Sequence, residues 1–133
     1  MITFVLDTSA MVELFVRDEV DPDLRRRILA GSGVAPELID LESANVLRRM
    51  VRRREIAPPE ADEALGEIRD SPVTRIPHRP LISRVWELRE TLTAYDAAYV
   101  ALAELFAAPI LTCDAKLARS NGHGAKIELY ARA

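Results

Sequence analysis

The sequence predicts a three-layer α/β fold, with a central parallel sheet of about five strands flanked by helices. Two observations carry this. Short apolar runs alternate with longer amphipathic stretches along the whole chain, the order that right-handed strand–helix–strand crossovers require. The first run, residues 2–6 (ITFVL), has no polar interruption and is rich in β-branched and aromatic residues, as suits a strand buried on both faces.

The elements follow in order. Asp7, Thr8 and Ser9 form a cluster of side-chain oxygens at the first strand's exit, and residues 10–16 begin a helix with Met11, Leu14 and Phe15 apolar. An acidic turn over 18–23 leads to a second helix over 24–30, whose three consecutive arginines read as solvated, and Gly31-Ser32-Gly33 breaks it. Val34 and Ala35 make a minimal second strand. Pro36 suits the first turn of a long helix reaching about Arg54, with Leu38, Leu41, Val46, Leu47 and Met50 as its buried stripe. Pro58-Pro59 opens a helix through about Asp70, residues 73–76 form a strand, and residues 80–90 form a helix whose Trp86 and Leu88 are assigned to the core. Thr93 stands at an N-cap with Asp96 in the first turn, and this helix runs to about Ala108. Ala97, Ala98, Ala101 and Ala108 give it a slim face, while Tyr99, Leu102, Leu105 and Phe106 supply bulk. Pro109 ends it. Residues 110–112 are a short buried strand, 115–120 a helix, 121–124 a turn and 126–130 a terminal strand.

At 133 residues the chain is expected to form one domain, 1–133, with a core large enough to need neither disulfides nor structural metal. A lone cysteine, Cys113, and no secretory or membrane-spanning run indicate a cytoplasmic protein with no membrane partner. A net charge of −3 argues against a general nucleic-acid coating protein, although not against an enzyme acting on nucleic acid.

Helices packed on a parallel sheet run antiparallel to its strands, so helix starts and strand exits share one edge, where open α/β sheets bind ligands. Asp7, Glu42, Asp96 and Asp114 all fall at or near that edge. Singly, Asp7, Asp96 and Asp114 read as helix caps, but Glu42 lies too deep in its helix to cap anything. Together, four converging carboxylates repel each other unless a cation intervenes, and an all-oxygen set favours Mg²⁺ or Mn²⁺ over zinc. Ser9, Asn45 and Thr112 are neutral groups placed to orient those acids. Arg48, Arg49, Arg52 and Arg53 either track a phosphate backbone or solvate the helix end. No glycine-rich phosphate loop or nucleophile elbow is present. His78 and His123 read as surface residues, and Cys113 as a small buried one.

These residues carry a resemblance. The stretches FVLDTSAMVELF, LIDLESANVLRR, TAYDAAYVALAE and ILTCDAKLAR resemble, in order and across essentially the whole chain, the PIN-domain ribonucleases, and more closely the VapC-type toxins of bacterial toxin–antitoxin pairs. The resemblance implies a PIN fold with a five-stranded parallel sheet and a Mg²⁺ or Mn²⁺ site made by Asp7, Glu42, Asp96 and Asp114. Asp7 and Asp96 would be the direct ligands, with Ser9 and Thr112 as support. It further implies an RNA substrate cut by water at a phosphodiester bond, a homodimer, and a cognate VapB-type antitoxin whose C-terminal tail covers the active-site groove. Some relatives carry another acid soon after the last aspartate; here Lys116 and Leu117 follow. Two alternatives are kept beside this reading: a non-catalytic α/β interaction module and a Mg²⁺-binding phosphoacceptor domain.

Overall fold

Five parallel strands form one sheet: β1 (Phe4–Leu6), β2 (Gly33–Pro36), β3 (Thr74–Ile76), β4 (Ile110–Thr112) and β5 (Ile127–Leu129). The structure is a computed structural model and describes residues 1–132. The strand order is β3-β2-β1-β4-β5. The chain lays β2 and β3 to one side of β1, then returns to the other side for β4 and β5. The order therefore reverses between β1 and β4, the kind of switch point where diverging connections leave a crevice at the strands' carboxyl ends. Both strands are wholly buried there, as the apolar runs require.

Among the described residues seven α-helices flank the sheet: α1 (Thr8–Val16), α2 (Pro22–Leu29), α3 (Leu38–Arg52), α4 (Pro58–Asp70), α5 (Ile82–Glu87), α6 (Ala94–Phe106) and α7 (Ala115–Ala118). None of them is long and apolar enough to cross a membrane. The alanine face of α6 lets it lie close on β1, β2 and β4, and residues 97–103 are buried without interruption. On the other face α1 packs against α3 and α4. Gly33 is needed where β1 and β2 meet: a Cβ there would stand 2.3 Å from the Phe4 ring.

The structure corrects several readings. Pro36 ends β2, paired with Ile76, rather than starting α3, because its fixed φ also suits an extended strand end where no donor is required. Trp86 is 66 % exposed, since the six-residue α5 buries none of its own side chains; the Arg89 guanidinium lies 4.6 Å over the indole, while Leu88 is in the core. Leu105 and Phe106 are exposed, because the last turn of α6 emerges beyond the layer that buries residues 97–103. His78 is half-buried, and its Nε2 accepts from the Leu38 amide at 2.9 Å, capping α3 where Glu37 offers no side-chain bond. Of the arginines in α2, Arg27 is tied across to Glu128 on β5.

Candidate active site

The site begins with two strand exits. Asp7 follows β1, and its amide donates to Leu111 of β4, so the two strand ends are locked side by side. Asp7 caps α1, accepting from the Ala10 amide at 3.0 Å on Oδ1. Ser9 donates to the same oxygen at 2.8 Å, and Thr112 donates to Oδ2 at 2.6 Å. Both hydroxyl protons are thereby used, so the 3.2 Å Ser9–Thr112 contact is one between two acceptors. Ser9 in turn accepts from the Cys113 amide, and Thr112 from the Asp114 amide. Asp114 caps α7 with Oδ1, taking the Lys116 amide at 2.9 Å. One network thus joins β1, α1, β4 and α7.

The electrostatics follow from burial. Asp7 is 5 % exposed, and desolvation pushes its carboxyl up to about 6, against the three hydrogen bonds that lower it and with a further push from Asp114. Asp96, half-buried in the first turn of α6, is also raised, first by burial and then by the Asp114 charge. Its amide donates to Thr93, as an N-cap requires, but among the described residues its carboxylate accepts no hydrogen bond. Cys113 is buried, and burial followed by the charges of Glu13 and Asp7 pushes its thiol up to about 12, which leaves it inert.

The fourth acid comes from α3. Glu42 Oε1 accepts from Thr8 Oγ1 at 2.8 Å and from the Tyr99 hydroxyl at 2.7 Å. Burial and the Glu42 charge hold that phenol protonated, far above its ordinary range. Asp40, two residues earlier, is turned away and paired with Arg75 at 2.9 Å. All four predicted acids line a single cavity of about 410 Å³, with Ser9 and Asn45 on its wall. Arg49 and Arg53, four residues apart, also line it; Arg48 and Arg52 do not. Asp7 and Asp114 therefore cap helices, as the interaction-module alternative supposes. Glu42 and Asp96 cap nothing.

A PIN-domain profile matches residues 4–122. The chain belongs to the PIN-domain family. Over 127 residues this PIN domain is 40 % identical to Ribonuclease VapC12 of Mycobacterium tuberculosis, covering 96 % of this chain and 98 % of that one. It superposes on the crystal structure of PAE2754 from Pyrobaculum aerophilum with a TM-score of 0.72 and 23 % identity, over 95 % of this chain and 83 % of that one. It superposes on a toxin–antitoxin complex from Klebsiella pneumoniae with a TM-score of 0.58 and 19 % identity, over 88 % and 91 %.

PIN-domain nucleases of this kind are generally dependent on divalent metal, and the donor set of this PIN domain fits a hard cation. Among the described residues no three His, Cys, Asp or Glu side chains converge closely enough to hold one ion among them. Mg²⁺ does not require such a cluster, since it usually keeps several waters and takes one or two carboxylates directly. Asp7 Oδ2 accepts a single hydrogen bond and Asp96 none, so these carboxylates retain free lone pairs toward the cavity.

Charged residues that the sequence does not single out also line this PIN domain's cavity, Glu13, Arg17 and Arg132 among them. Glu13, 5 % exposed and 3.4 Å from Arg17, extends the cavity along α1. Its signal is the four-residue spacing of Ser9, Glu13 and Arg17 on one helix face. Arg132, whose Nε donates to the Cys113 carbonyl, reaches the cavity from beyond β5 and has no local signal.

Proposed function

We propose that this PIN domain is the toxin of a type II toxin–antitoxin pair, a Mg²⁺-dependent endoribonuclease that hydrolyses RNA phosphodiester bonds, with Mn²⁺ as a possible substitute. The carrying observation is that Asp7, Glu42, Asp96 and Asp114 line one cavity at the sheet's switch point, in a chain 40 % identical to a protein named a ribonuclease. Asp7 and Asp96 would hold the metal through their free lone pairs, and it would supply Lewis-acid polarisation of the scissile phosphate and a more acidic water. Ser9 and Thr112 fix the Asp7 carboxylate so that only one direction is left open. Asp114 and Glu42 would complete the metal site, position the attacking water and take its proton; Asn45 stands on the same wall and makes no hydrogen bond to the acids among the described residues. Of the four arginines read as RNA contacts, Arg49 and Arg53 face the cavity and would take the flanking phosphates; Arg48 and Arg52 are set aside. In this reading one domain carries the whole activity in the cytoplasm, beside its RNA.

The partner is a VapB-type antitoxin, supported by a fold neighbour solved as a toxin–antitoxin complex. A homodimer is the second assembly in this reading. Ile82, Trp86 and Tyr95, exposed on α5 and the first turn of α6, supply an apolar face for it.

The test is RNA cleavage by the purified chain, freed of any bound partner, with and without Mg²⁺ or Mn²⁺. Metal-dependent cleavage should fall by roughly 10²-fold or more in Asp7→Asn and Asp96→Asn, the scale on which one electrostatic partner of a transition state counts. Cleavage indifferent to metal and to both substitutions would overturn the reading.

A further inference from the structure

We propose that Tyr99 is a positioning residue for Glu42: together with Thr8 it occupies one carboxylate oxygen and leaves the other as the sole oxygen presented to the cavity. The inference rests on the nuclease reading above and assigns a role within that same site.

Tyr99 lies one turn beyond Asp96 on α6. Its side chain is 3 % exposed, too deep for a surface contact, yet it lines the cavity that the acids share. The hydroxyl stands 2.7 Å from Glu42 Oε1 and 2.8 Å from Thr8 Oγ1, and Thr8 Oγ1 is itself 2.8 Å from Oε1. Three oxygens from α1, α3 and α6 close a triangle.

Its protons can be counted. An ionised Glu42 only accepts, while the phenol and the threonine bring one proton each. Either both protons go to Oε1, or one hydroxyl donates through the other; in each arrangement Oε1 receives a short charge-assisted bond and nothing is left for Oε2. Among the described residues Oε2 has no hydrogen-bond partner. A phenylalanine would fill the same space in the core, so packing does not account for the hydroxyl. What the hydroxyl adds is a fixed carboxylate plane on a helix whose remaining polar cavity-facing side chains, Asn45 and Arg49, are exposed.

Tyr99→Phe in the full chain keeps the ring and removes only the hydroxyl. Mn²⁺ binding, measured by electron paramagnetic resonance titration, is read beside RNA cleavage. The variant should keep its circular dichroism, bind Mn²⁺ about 10–100-fold more weakly, as loss of an outer partner of a metal-site ligand typically does, and lose cleavage through kcat rather than KM. In a Glu42→Gln background the same substitution should change Mn²⁺ affinity by less than about twofold, because the charge it positions is gone. A tyrosine that only packs would cost the same in both backgrounds. Thr8→Val removes the second hydroxyl at constant shape; it should behave alike and serves as the test if the phenylalanine variant does not fold. Wild-type Mn²⁺ affinity and cleavage in both variants would overturn the positioning role and leave the nuclease reading standing. A wild-type chain that neither binds Mn²⁺ nor cleaves RNA would overturn that reading, and this inference with it.

Discussion

The two walls of the cavity are built to opposite rules. At the strand exits every hydroxyl proton within reach of Asp7 is committed, and the same atoms cap α1 and connect β1 to β4. On the helical wall the side chains of Asp96, Asn45, Arg49 and Arg53 make no hydrogen bond or ion pair among the described residues, although all four line the cavity. Satisfied groups contribute to folding, whereas unsatisfied ones are available to a ligand. The strand-exit wall is scaffold and site at once, while these four side chains of the helical wall can be altered with little cost to the fold.

The largest effect separating the two walls is the stability of the metal-free protein. Burial raises the Asp7 carboxyl from 3.8 to about 6. A carboxyl raised in this way binds its proton more tightly folded than unfolded, so its contribution is fully present below about pH 4 and is lost as pH rises through about 6. Two units amount to on the order of 3 kcal/mol. Asp7→Asn removes the desolvated charge and can still accept from Ala10 and Ser9, while Thr112 turns its hydroxyl to accept. In chelator at pH 8 this variant should therefore be the more stable protein in urea, with the difference gone by pH 4. Asp96 is raised in the same direction but is only half-buried, so Asp96→Asn should gain less. Equal gains in the two variants, or none for Asp7→Asn, would break the contrast between the walls.

The same division decides what was legible in the sequence. Asp7 and Asp114 stand out because a strand exit, a helix entrance and a carboxylate coincide in three or four residues, a purely local pattern. The sheet was legible for the same reason, each strand being an apolar run between breakers. In the sequence Tyr99 reads as bulk, since an apolar stripe does not reveal that one of its hydroxyls meets a glutamate 57 positions away. His78 reads as a surface residue because its partner, the Leu38 amide, lies 40 residues back. Trp86 failed in the other direction: a hydrophobic period marks a face, and α5 is too short to bury it.

A smaller effect sharpens the comparison along α3. Because Arg49 and Arg53 face the cavity and Arg48 and Arg52 do not, neutralising the first pair should flatten the plot of log RNA affinity against log salt by about 1.4, roughly 0.7 for each single-strand phosphate released. Neutralising Arg48 and Arg52 should leave that slope unchanged. Equal flattening by the two pairs would reduce the arginine run to a diffuse positive end with no preferred track.

The smallest effect lies on the core side of the same helix. Ser43 is 0 % exposed, and its hydroxyl has no hydrogen-bond partner, not even the carbonyl one turn back that a helical serine often takes. Unlike the unpaired groups on the cavity wall, it faces no ligand space, so it carries a desolvation cost with no use to offset it. Ser43→Ala should then stabilise the protein by about 1 kcal/mol, from the removed unsatisfied group together with alanine's better helix propensity. Because Ser43 adjoins Glu42, Mn²⁺ affinity measured on the same variant tells the two sides of α3 apart. A gain in stability with unchanged affinity confines the effect to the core. A loss of both would mean that the hydroxyl helps to set the Glu42 backbone, and the cavity wall would then depend on the core behind it.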